Sequence, residues 1–181
     1  MDAAKWRQGI ETATNLAVLL SCIAAAVLLI KSRNTTSYAP QTPTTTIPGG
    51  VQRGDRFPAL AGVKFNAADR TLILALNTGC HFCEESLPFY RRLPTNKSQT
   101  AEGTQVVAIF PNEINEARKF LTVGNLEFPV LGRQDFAKLG IAGTPTLVLL
   151  NRDGTVQKVW RGELSVGDQE KVLSAVASGT H

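Results

Sequence analysis

The sequence predicts an α/β domain with a mixed central sheet and helices on both faces, preceded by one N-terminal transmembrane helix. Three observations predict it. Residues 12–30 carry no charge over 19 positions, close to the ~20 apolar residues that cross ~30 Å of hydrocarbon as a helix. Beyond residue 50, branched apolar runs alternate with segments of helical periodicity, the order expected of strand–helix crossovers. Near the C terminus, Asn151-Arg152-Asp153-Gly154 separates the apolar run ending at Leu150 from Thr155–Arg161 and marks an antiparallel hairpin.

The 181 residues suffice for one ordinary domain plus an appendage. Net charge is +4, but residues 51–181 hold 15 Lys/Arg against 13 Asp/Glu. No basic stripe with interleaved aromatics appears, so nucleic-acid binding is not expected. Three cysteines are too few for a disulfide scaffold. One of them, Cys22, lies in the apolar N-terminal run and reads as a small apolar residue of that helix.

An uncleaved anchor over 1–31 fits the N-terminal run best. The nearest small-residue cleavage site, Ser37-Tyr38-Ala39, lies well downstream and is followed by Pro40. Lipidation at Cys22 would leave eight further residues, mostly apolar, after the cysteine. Residues 32–50 turn abruptly to Thr, Pro, Ser, Asn and Gly, the composition of a semi-stiff spacer that buries no core. The folded domain is expected over 51–181.

Within it, a short strand is expected around Val63–Phe65 and the first central strand over 71–77. A helix kinked at Pro88 should follow to about Leu93. Gln105–Phe110 reads as a second buried strand, Asn112 or Glu113 to Val123 as a helix, and Phe128–Leu131 as a short extended piece. Asp135–Leu139 should be a short helix ended by Gly140. The hairpin strands are expected over 144–150 and 155–161, and a terminal helix over 166–177.

At the junction of the first strand and helix stands Cys80-His81-Phe82-Cys83. Unpaired N–H groups and partial positive charge at a helix start favour a thiolate. Two thiols one turn apart can form and resolve a mixed disulfide. Cys80, before the helix, is the expected attacking thiol, and Cys83 the more buried resolving thiol. His81, if protonated, would stabilise the Cys80 thiolate; equally it is a solvent-facing residue of slight influence. Phe82 reads as an exposed contact for a partner, with local packing as the alternative. A static structural disulfide is the bland reading, but so short a loop contributes little as a staple.

These residues resemble the thioredoxin superfamily, and within it the membrane-anchored redoxins of the TlpA/ResA type. The resemblance rests on strand-CxxC-helix over 71–93, Pro88, Gly143-Thr144-Pro145 opening a strand, and the Asn-Arg-Asp-Gly hairpin. It covers roughly 53–178. It implies a thioredoxin-like fold with Pro145 cis against the cysteine pair and Thr144 offering backbone bonds to a substrate peptide. Two positions depart from relatives. Gly79 stands where many carry tryptophan, and Leu74 where simple thioredoxins carry a buried acid, so no proton acceptor for Cys83 can be named.

The expected function is thiol–disulfide exchange with a protein thiol or disulfide partner on the extracytoplasmic (periplasmic) side of the cell membrane. By resemblance the direction is reduction, for example in cytochrome c maturation, with electrons from a transmembrane thiol donor. No cofactor or resident metal is expected, since zinc normally takes four ligands and the second histidine is His181 at the terminus. Thiol peroxidase chemistry is an alternative, but the Pro and Thr it places before the reactive cysteine are Ile73 and Asn77 here. A non-enzymatic docking module on the membrane is the other.

Overall fold

Strand β1 (Arg70–Ala75) forms in the first uninterrupted apolar run, and the sheet is laid against it on both edges. The computed structural model describes residues 49–95 and 103–177. The expected anchor 1–31 and residues 32–48 of the expected spacer lie outside the described residues. No described helix is long and apolar enough to cross a membrane.

The sheet has five strands in the order β3-β2-β1-β4-β5. β2 (Thr104–Ile109) runs parallel to β1, with Arg70 opposite Thr104 and Ala75 opposite Ile109. β3 (Val130–Leu131) runs parallel to β2. β4 (Thr146–Asn151) runs antiparallel to β1, and β5 (Val156–Arg161) antiparallel to β4. The Asn-Arg-Asp-Gly turn closes this hairpin as expected. The Gly154 N–H donates to the Asn151 carbonyl at 3.0 Å, and the Thr155 N–H to Asn151 Oδ1 at 2.9 Å.

Both faces of the central strands are buried, so their sequences are continuously apolar rather than alternating. One face presents Leu72, Leu74 and Leu76 to a core shared with α1 (His81–Glu85), α2 (Leu87–Tyr90), α3 (Ile114–Val123) and α4 (Val166–Ala177). Each of those leucines is fully buried, which stabilises the fold by about 1.5–3 kcal/mol per side chain. The opposite face presents Ile73 and Ala75 to Val51, Phe57, Leu60, Leu139 and Ile141.

That second layer corrects the expectation of helices on both faces: among the described residues it holds no α-helix, only irregular chain and one short 3-10 helix. The expected helix over Asp135–Leu139 closes after a single turn. The Ile141 N–H donates to the Phe136 carbonyl at 2.8 Å, the Gly140 N–H to the Ala137 carbonyl at 3.2 Å, and Gly140 takes φ +69°. This is the helix-terminating arrangement that a left-handed glycine permits. The expected strand around Val63–Phe65 is also absent, replaced by a 3-10 helix over Phe65–Ala67. Its backbone is satisfied locally, Val63 N–H to the Leu60 carbonyl and Ala67 N–H to the Lys64 carbonyl, both at 3.1 Å.

The helix expected through Pro88 is divided at Ser86, which ends α1 and precedes α2. Pro88 has no N–H to return to the previous turn, so the backbone bends there. Hydrogen-bonded turns continue to Leu93, whose N–H donates to the Tyr90 carbonyl at 3.1 Å.

Candidate functional site

The sheet's direction assembles the site. β1 and β2 finish at one end of the sheet, and antiparallel β4 begins there, with Ala75 opposite Thr146. The loop after β1, residues 76–80, therefore meets the residues just before β4, Gly143 to Pro145. Cys80 Sγ lies 3.4 Å from the Thr144 carbonyl oxygen, although 64 positions separate them in the chain.

Cys80 is the N-cap of α1. Its sulfur accepts from the Cys83 N–H at 3.1 Å, and its carbonyl accepts from the N–H groups of Cys83 at 3.0 Å and Glu84 at 3.2 Å. A thiolate formed there would meet the same N–H and the positive end of the helix. Cys80 and Cys83 form a disulfide with their Cα atoms 5.2 Å apart. Their surroundings differ: Cys80 is half-buried, and Cys83 is fully buried in the helix-side core.

The Thr144-Pro145 bond is cis, as the resemblance implied. The loop is pinned from both sides. Gly162 N–H donates to the Pro145 carbonyl at 2.8 Å, and the Thr146 hydroxyl to the Gly143 carbonyl at 2.7 Å.

His81 and Phe82 point outward. His81 Nε2 lies 3.2 Å from Glu85 Oε1 one turn along α1. The Phe82 ring is 51% exposed, with its centroid 5.6 Å from that of His81. Leu74, at the place of a buried acid in simple thioredoxins, is fully buried among apolar side chains.

Sequence reasoning missed two residues that hold the loop. Asn77 Oδ1 accepts from the Gly79 N–H at 3.0 Å, and the Asn77 carbonyl from the Cys80 N–H at 3.2 Å. The Asn-x-Gly spacing was a usable signal for this side-chain turn. Asn112 Oδ1 accepts from the Thr78 N–H at 3.2 Å. Nothing local announces Asn112, because the β1–β2 register brings it to the loop.

No protein-family model matches the chain, and no curated protein matches it in sequence. Solved structures do match. One is the thioredoxin domain of a thiol-disulfide oxidoreductase from Bacteroides vulgatus, with TM-score 0.56 and 15% identity over 71% of this chain and 99% of that one. The fold is thioredoxin-like. A second thioredoxin-like neighbour, a candidate thiol:disulfide interchange protein DsbE from Chlorobium tepidum, has TM-score 0.54 and 24% identity over 70% of this chain and 99% of that one. A third, a candidate protein disulfide isomerase from Bacteroides thetaiotaomicron, has TM-score 0.56 and 17% identity over 70% and 91%.

Proposed function

We propose that this protein is a membrane-tethered thiol–disulfide oxidoreductase whose redoxin domain faces the extracytoplasmic side and reduces disulfides in a protein partner. One observation carries the reading: a half-buried cysteine at a helix N-cap, joined to a fully buried one a turn further on and facing the Thr144 carbonyl. A structural staple gains nothing from this asymmetry, whereas exchange needs one accessible and one protected sulfur.

The steps follow from that asymmetry. In the reduced protein the Cys80 thiolate attacks one sulfur of the partner's disulfide, and the other partner sulfur leaves as a thiolate and takes a proton. Cys83, deprotonated, then attacks Cys80 Sγ, forming the intramolecular disulfide and releasing the second partner thiol. Two electrons pass from the Cys80–Cys83 dithiol to the partner. A transmembrane thiol donor resets the pair by the reverse exchange. Thr144 offers backbone bonds to the partner's chain, and the cis Pro145 lies against the cysteine pair and shapes that surface. His81 and Phe82 form the exposed rim, His81 influencing the reactivity of Cys80. The peroxidase alternative finds no support at its positions: Ile73 is buried in the loop-side core, and Asn77 Oδ1 is engaged by its own loop.

The reading is tested by trapping in cells. Cys83→Ala should accumulate a covalent complex with the partner that dithiothreitol releases, and Cys80→Ala should not. A thiol reagent that cannot cross the membrane should label reduced Cys80 in spheroplasts. Equal trapping by both variants, or labelling only after lysis, would contradict the mechanism or the side respectively.

A further inference from the structure

Between α3 and residues that flank the cysteine pair in the chain runs a groove of about 470 Å³, within the range of about 300–1,000 Å³ typical of binding clefts. Its walls come from Thr78 before the cysteines, Glu84 and Leu87 after them, and Glu116, Phe120 and Val123 of α3, with Lys119 on the same helix. Thr144 and Pro145 are not among its lining residues, so it lies apart from the loop facing Cys80.

The groove exists because α3 turns two faces to different neighbours. Ala117 and Leu121 enter the core, whereas Glu116, Phe120 and Val123, at helical spacing, line the groove. Phe120 keeps one side on Phe110, with ring centroids 5.6 Å apart. Val123 is 74% exposed, with Val166 the most exposed of the large apolar side chains among the described residues. Gly124 lets the helix end close on Leu87, since a Cβ there would stand 2.7 Å from Leu87 Cδ2.

Charge selects the occupant. Glu84, Glu116 and Lys119 are exposed, and none makes an ion pair or side-chain hydrogen bond among the described residues. Elsewhere on the surface, Glu85, Glu113, Asp135 and Asp168 each have a basic partner. The lining thus offers an apolar floor and two unanswered carboxylates against one ammonium.

We infer that this groove receives the segment flanking the partner's reactive cysteine, one that places an apolar side chain on Leu87, Phe120 and Val123 and a Lys or Arg against Glu84 and Glu116. The inference rests on the exchange reaction proposed above and specifies its substrate class. Binding energy spent there orients the partner's disulfide toward Cys80.

The test uses the full chain in detergent, reduced and freed of reductant, with two glutathionylated probe peptides. One carries Leu and Lys around its cysteine, the other Ser and Glu. Protein dithiol plus peptide–glutathione disulfide gives protein disulfide, peptide thiol and glutathione, and the ratio of the two second-order rate constants is the readout. Hydroxyethyl disulfide, too small to span the groove, reports exchange itself. The wild type should prefer the apolar, basic peptide by about tenfold at low salt. Glu116→Lys should remove or reverse that preference, and Val123→Ser should weaken it. A preference unchanged in Glu116→Lys, or absent in the wild type while hydroxyethyl disulfide is still reduced, would overturn the groove assignment alone. If no disulfide is reduced, the exchange reading falls first. A two-chain particle that Glu116→Lys dissociates would also overturn it, by showing that a second copy fills the groove.

Discussion

Cys80 and Cys83 share a helix start, yet the first is half-buried and the second lies in the core, and a neighbouring tyrosine shows what the same core does to a polar group. Tyr90 is buried to 1% exposure, and its hydroxyl has no partner at hydrogen-bonding geometry. Burial disfavours the phenolate and pushes its pKa up to about 12, the nearby Ser86 hydroxyl offsetting part of the rise. Because the folded state holds this proton more tightly than the unfolded chain does, the associated stability is complete below pH 10. It is lost as pH rises from 10 through 12. Between pH 8 and 11 this residue alone should cost the wild type about 1.4 kcal/mol. Tyr90→Phe should lack that loss, and at pH 7 should be neutral or stabilised by up to about 1 kcal/mol, since it removes an unpaired buried hydroxyl. Equilibrium unfolding of both proteins across this range decides the matter. Parallel curves would mean that folding does not raise the pKa of this hydroxyl.

At the scale of elements, the link between α3 and the cysteine loop is the informative one. Gly132, after β3, lies so close to the start of α3 that a Cβ would stand 2.7 Å from the Ile114 nitrogen and 2.9 Å from the Asn112 carbonyl oxygen. Both are backbone atoms and cannot swing aside. Gly132→Ala should therefore destabilise the domain by about 1–3 kcal/mol. By displacing Asn112 it should also release the Thr78 N–H and slow reduction of hydroxyethyl disulfide. Lost stability with an unchanged rate would show that Asn112 does not set the loop's geometry. Gly132 did not stand out in the sequence, and Asn112 did so only as a candidate helix start, because their contacts here depend on strand register. The central strands β1, β2 and β4 were legible because each is a dense apolar run buried on both faces. The hairpin was legible from its turn residues, and α4 from its helical periodicity. What failed was short. A turn ended by Gly140 reads as a helix, and Val63–Phe65 reads as a strand, wherever tertiary contacts rather than propensity decide three or four residues.

For the whole molecule, one architectural fact governs the site: two parallel strands end, and one antiparallel strand begins, at the same end of the sheet. That end gathers Cys80, Cys83, Thr144 and Pro145. The cysteines and the Thr-Pro step were readable in advance from motif spacing. Their 3.4 Å approach was not, since it needs the register between β1 and β4. The central claim is that this pair cycles between dithiol and disulfide. It is tested most directly by equilibrating the full chain in detergent with glutathione or dithiothreitol buffers and reading the Cys80–Cys83 redox state by thiol alkylation. The account predicts one two-electron couple, near about −270 mV for a reductant supplied across the membrane. A pair that stays oxidised below about −300 mV, as structural disulfides do, or that shows no two-electron couple, would contradict it.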